Sequence, residues 1–255
     1  MEAEKSKANP IEGANVYGSQ VGTYRLNGQF KEAIRTCDEW SKHCSNGYPF
    51  AVRADINHKA GNDEQALKDY SNAIKREPSN FGFRDKRAQL LEGLGRFKES
   101  FAEYDYMVKK ENGDPKGHLG KRAVISYRMG NWKTAIGDLD KSLKANADPF
   151  LLWVRVNCYM QLNEKDKALK DIDRFLLSKP KEVRFLVFRS QIMEEKNNLP
   201  EALISMDKAV RFSPYNPELR VQRSSLLRKM GRLTEAEREL QESKKLKDLE
   251  KLPPL

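Results

Sequence analysis

Apolar residues recur at helical spacing along most of the chain, and the pattern returns about every 34 residues. Its clearest mark is a small residue followed by a hydrophobic one: Ala33-Ile34, Ala66-Leu67, Ala135-Ile136, Ala168-Leu169 and Ala202-Leu203. Larger apolar residues follow one turn later at Tyr70, Leu139, Ile172 and Met206, with small ones at Ala73, Ser142 and Ala209. Ser100-Phe101 and Ala236-Glu237 stand where the same pair is due. Before each pair comes a Gly or Asn, namely Gly28, Gly61, Gly95, Gly130, Asn163, Asn197 and Gly231. Both residue types tolerate the left-handed conformation that ends a helix. Pro78, Pro180 and Pro214 close three of the units where a second helix must stop. The pattern therefore predicts helix, turn, helix in every unit and no strand. A hairpin of this size cannot bury its apolar face alone, so neighbours must stack.

A second series runs in phase with the first. Arg53-Ala54, Arg87-Ala88, Arg122-Ala123, Arg155-Val156, Arg189-Ser190 and Arg223-Ser224 each precede a small-residue pair by the same interval. Five of these arginines have an acid further along on the second helix: Asp69, Glu103, Asp138, Asp171 and Glu239. Arginines that so regularly arrive with an acid read as a ladder of structural ion pairs, not a row of anion sites.

These residues resemble the tetratricopeptide repeat (TPR) family, with small residues at its eighth, twentieth and twenty-seventh positions and proline at the thirty-second. Seven units fall in phase, near 14–46, 47–80, 81–115, 116–148, 149–182, 183–216 and 217–250, between tails 1–13 and 251–255. The resemblance implies an all-α, right-handed α-solenoid of about fourteen antiparallel helices. Gly18 and Gly22 in the first helix predict an irregular opening unit.

Composition then narrows the function. The chain has 255 residues, 38% hydrophobic and 33% charged, and no apolar run long enough for a membrane-spanning helix. Met1 to Pro10 is charged and lacks an apolar signal segment, which predicts a cytoplasmic protein. Cys37, Cys44 and Cys158 are too few and too scattered for a disulfide framework, and suggest free thiols in a reducing compartment. No nucleophile elbow, phosphate-binding glycine loop or His-Glu-x-x-His occurs, so we expect neither catalysis nor a cofactor. His43, His58 and His118 fall in different units, which argues against a metal site.

In the resembled family the first helix of each unit lines the concave groove. Its groove positions here carry Arg25, Lys59, Arg128, Arg184, Arg228 and Lys229 against Asp55, Asp85, Glu92, Glu194, Glu195 and Glu218. Such balance is poor support for a nucleic-acid channel despite a net charge of +10. Units four to six differ from the rest. Tyr127, Arg128, Phe150, Trp153, Asn157, Met160, Val187 and Gln191 hold groove positions, and Gly117 and Gly120 remove bulk nearby. Large apolar side chains on a wet face predict a binding surface, with Tyr127, Trp153, Met160 and Val187 as anchors and Arg128, Asn157 and Gln191 as hydrogen-bonding partners. Trp153 reads as an anchor, while Phe150 fits a surface or a core role equally.

The expected function is a scaffold or adaptor that binds a protein or peptide segment. The family's chaperone-binding members use lysines and asparagines in three adjacent units. Lys86, Lys121 and Asn157 are isolated matches here, which argues against chaperone C-terminal tails. An RNA-associated protein using a basic outer surface, or a regulatory subunit docking on an enzyme, are the alternatives.

Overall fold

The computed structural model describes residues 10–110, 117–145 and 148–249, apart from the side chains of 10–15, 145 and 249. Among them are fourteen α-helices and no strand. The expected tails fall mostly outside the described residues. Helix α1 already begins at Pro10, four residues before the expected boundary. The chain divides into two compact units, Met1–Asn131 and Trp132–Leu255. The boundary lies in the turn of the fourth hairpin.

The first unit contains α1 (Pro10–Leu26), α2 (Phe30–His43), α3 (Tyr48–Lys59), α4 (Asp63–Arg76), α5 (Phe81–Gly93), α6 (Phe97–Lys110) and α7 (His118–Arg128). The second contains α8 (Trp132–Ala145), α9 (Pro149–Gln161), α10 (Lys165–Ser178), α11 (Val183–Glu195), α12 (Leu199–Phe212), α13 (Pro217–Lys229) and α14 (Leu233–Leu249). Within each, a helix packs mainly against its neighbours in the chain.

The sequence signals act locally as expected. All seven turn residues have positive φ, including Asn163 at 57° and Asn197 at 60°. Those two are the residues for which a side chain must tolerate the left-handed region, and asparagine does so better than most. Three first helices start on side-chain caps: Asn80 accepts from the amide of Gly82, Asp148 from those of Phe150 and Leu151, and Asn216 from those of Glu218 and Leu219.

The small residues mark where two helices touch. Ala66, Ala88, Ala123, Ala135, Ala168, Ala202 and Ala236 have no exposed surface. Serine at such a contact brings a hydroxyl into the core, and each one finds a carbonyl on the facing helix. Ser100 donates to Ala88 at 2.9 Å, Ser190 to Ala202 at 2.8 Å and Ser224 to Ala236 at 2.7 Å. Met107, which stands where other repeats have Ala73, Ser142 or Ala209, is fully buried beside Tyr104 and Ile125.

The opening hairpin is more regular than the glycines predicted. Helix α1 runs unbroken for 17 residues through Gly18 and Gly22. Val21 packs with Ala33, Cys37 and Ile56, and that burial outweighs the low helix propensity of two glycines.

Candidate partner-binding site

The arginine series has one job in each of the six repeats that carry it: every guanidinium meets at least one acid projecting from a second helix. Arg155 donates to Asp171 at 2.7 and 2.8 Å, and also to Asp140 on the preceding second helix at 2.9 Å. Arg223 joins Glu239 at 2.6 Å and Asp207 at 2.7 Å. Arg53 binds Asp69 and Asp38 in the same manner. Arg87 takes Glu103 with Ser71, and Arg122 reaches back to Asp105 at 2.6 Å. Arg189 lacks an acid at the expected spacing. It uses Asp173 at 2.8 Å, Glu201 at 3.1 Å and the Ser205 hydroxyl at 2.8 Å. The ladder is therefore structural and doubly anchored, tying each hairpin to its predecessor. Its bond to Asp69 leads the effects that hold Arg53 above the ordinary arginine range.

Several charges on the first-helix face are also spent internally. Lys86 pairs with Asp55 at 3.3 Å, Lys121 with Asp85 at 2.6 Å and Arg128 with Glu92 at 3.2 Å, each between adjacent first helices. In the second unit Lys229 pairs with Glu194. Lys86 and Lys121 thus already hold carboxylates of their own chain. Among the described residues no group of three or more His, Cys, Asp or Glu could hold a metal ion, and no helix is long and apolar enough to cross a membrane.

The predicted anchors fall in both compact units. Tyr127 and Arg128 end α7 in the first, Tyr127 half-buried and Arg128 exposed with its guanidinium 6.0 Å from the Phe97 ring centre. The other five lie on α9 and α11 in the second. Trp153 is half-buried, stacked on Phe150 with ring centres 5.8 Å apart and planes 20° apart, and 6.5 Å from the Phe188 ring on α11. Met160 packs beside it against the core formed by α9, α10 and α11. Val187 packs against the next core. Asn157 donates its side-chain amide to the Trp153 carbonyl at 2.8 Å, leaving its oxygen as the group to offer, while Gln191 is exposed.

Burial redistributes the roles within this cluster. Phe150, equivocal from sequence, is 48% exposed and is the outermost ring. Trp153 rests between it and the core. Phe188, which completes the platform, sits one residue beyond the groove register of Val187 and escaped the sequence pattern for that reason. The result is a shelf of three rings, apolar above and hydrogen-bonding along its edge.

Comparison with known proteins matches the Tetratricopeptide repeat family over residues 54–115 and 155–217. The chain is similar to the human Tetratricopeptide repeat protein 6, 24% identical over 211 residues, which cover 80% of this chain and 40% of that protein. It therefore spans less than half of that relative. Two solved structures share the fold at 15% identity. The C-terminal part of a TPR repeat-containing protein from Cytophaga hutchinsonii superposes with a TM-score of 0.70, covering 89% of this chain and 92% of the other. A tetratricopeptide repeat protein from Parabacteroides merdae gives 0.63, covering 92% and 93%.

Proposed function

Because the chain belongs to the tetratricopeptide repeat family, whose members generally mediate protein–protein interactions, we propose that it is a non-catalytic scaffold or adaptor holding a partner segment against its first-helix face. The observation that carries this reading is the exposed aromatic shelf on α9 and α11. Phe150 and Trp153 present stacked ring surface where other units present ion pairs, and aromatic rings with adaptable amides are the chemistry of hot spots. Val187 and Met160 extend the apolar contact, and Asn157 and Gln191 hydrogen-bond the bound backbone. Tyr127 and Arg128, on α7 of the first unit, are a separate candidate contact and are no part of this shelf.

Cytoplasmic residence is part of the proposal, supported by three free thiols, two of them buried. Fractionation of cells expressing the tagged chain tests it, and recovery from an oxidising compartment would overturn it. The balanced charge of the first-helix face favours protein over RNA as the partner.

The deciding experiment is capture of partners on wild type, Phe150→Ala and Trp153→Ala, read by mass spectrometry, followed by titration of the captured protein. Phe150→Ala should lose about tenfold or more in affinity with an unchanged melting temperature. Trp153→Ala should lose affinity and also some stability, since its inner face touches the core. Equal capture by all three proteins would sink the proposal.

A further inference from the structure

The outer, second-helix side of the second unit breaks the repeat pattern at one place. Nine residues after the small residue of each pair the chain has Lys42, Lys75, Lys109, Lys144, Arg211 and Lys245, but in the fifth repeat it has Leu177. Two residues after the same small residue, Ile204 stands where the other repeats have Arg35, Lys68, Ala102, Gly137, Lys170 and Arg238. Both exceptions lie on one cleft of about 580 Å³ between α10 and α12. Leu177 is 87% exposed and Ile204 46% exposed. Phe212, 37% exposed, and the half-buried Leu176 also line it. The corresponding cleft between α8 and α10 shows what the ordinary pattern gives, with Lys144 and Ser178 at the places of Leu177 and Phe212.

The rim has a definite charge. Asp173 and Glu201 line the cleft, but both are occupied by Arg189. Arg174, Lys208 and Arg211 also line it, and no described carboxylate pairs with any of the three. Lys208 and Arg211 follow Ile204 at helical spacing on α12, and Arg174 precedes Leu177 by one turn on α10. An apolar trough between unpaired cations is complementary to an amphipathic helix with apolar residues on one face and Asp or Glu on its flanks. Helices α10 and α12 have 14 residues each, so the trough accepts about four turns.

We propose that this cleft is a second docking site, separate from the first-helix face, for an acidic amphipathic helical segment of another protein. Leu177, Ile204 and Phe212 take its apolar anchors, and Arg174, Lys208 and Arg211 select its acidic flanks. Isolated exposed leucines are common on protein surfaces and mean little. Here Leu177 replaces a basic residue that every other repeat carries, Ile204 stands at an adjoining position where the others have a basic or a small residue, and the acids beside them are already neutralised.

The test is selection of peptides of about 14 residues from a displayed random library on the full-length chain, then fluorescence anisotropy on the selected sequences. The proposal expects a class with acids flanking paired apolar residues. Its binding should fall about tenfold or more in Leu177→Lys and in Ile204→Lys, each of which restores a residue type that other repeats carry. It should fall again in Lys208→Glu, and be unchanged in Phe150→Ala, with all melting temperatures retained. The proposal is overturned if no selected peptide is sensitive to Leu177→Lys, or if those that are sensitive are basic. It is also overturned if poly-uridylate competes for the face as well as the peptide does, or if sedimentation shows self-association that Leu177→Lys abolishes.

Discussion

A methyl group added at Gly18 or Gly22 would meet nothing within 4 Å, whereas one added at Gly47 would lie 2.6 Å from the Phe83 ring and 2.7 Å from the Ala73 carbonyl oxygen. Gly18→Ala and Gly22→Ala should therefore each stabilise the chain by about 0.5 to 1 kcal/mol, because both sit inside helix α1. Gly47→Ala should destabilise it by about 1 to 3 kcal/mol, since the carbonyl cannot give way without shifting α4. Urea unfolding of the three variants decides both signs. The arginines divide in the same way. Asp69 is fully buried and takes hydrogen bonds from Arg53 and from Asn57 at 2.9 Å, so Arg53→Met strands a buried carboxylate. That should cost about 3 kcal/mol or more, and adding Asp69→Leu should recover most of it. Arg189→Met leaves Asp173 and Glu201 with 51% and 42% of their side-chain surface in water, and should cost less than about 1 kcal/mol. Equal losses at Arg53 and Arg189 would contradict this account of the ladder. The forward acids of the ladder were legible in the sequence because helix and turn lengths within a hairpin are nearly constant. The backward acids Asp38, Asp105, Asp140, Asp173 and Asp207 were not, because their contacts depend on how successive hairpins stack.

At the scale of elements, the sequence located every turn within a hairpin, since a left-handed residue is required there and only glycine and asparagine were used. It misjudged α1, where packing of Val21 in the core overrides the propensity of two glycines. It also left Phe188 out of the candidate site, because groove register names positions on one helix and the shelf forms by rings of α9 and α11 meeting. The cleft between α10 and α12 was illegible for a related reason: exposed positions on second helices carry no apolar periodicity to follow. The closest helix contacts should be the least tolerant. Ala202 is fully buried and accepts the Ser190 hydroxyl through its carbonyl, so Ala202→Leu should separate α11 from α12 and cost about 2 kcal/mol or more. Amide exchange should then speed up in both helices of that hairpin while α9 keeps its protection. Uniform exchange across the whole second unit would mean the hairpins do not open separately.

Across the whole molecule, buried acids of weak strength set an alkaline limit on stability. Burial pushes the thiols of Cys37 and Cys158 up to about 12 from an ordinary 9.0. Burial likewise raises the Tyr70 phenol, with Asp55 accepting its proton, and the Tyr104 phenol beside Asp85. Each of these groups stays protonated in the folded chain at a pH where the unfolded chain has begun to ionise. Below about pH 8 both states hold the proton and the shift has no effect on stability. As pH rises through the ordinary thiol and phenol values, the unfolded state alone gains charge, so stability falls progressively toward the folded-state values. Melting temperature should therefore decline steadily between about pH 8 and about pH 11. Lysine deprotonation contributes to any such decline, so the informative comparison is with Cys37→Ala combined with Cys158→Ala. That variant starts lower, because two buried side chains are shortened, but its curve should be shallower and approach the wild type as the pH rises. Parallel curves would show that the thiols carry none of the dependence. The same two thiols should resist a disulfide reagent at neutral pH while the partly exposed Cys44 reacts, giving one fast equivalent before unfolding releases the others.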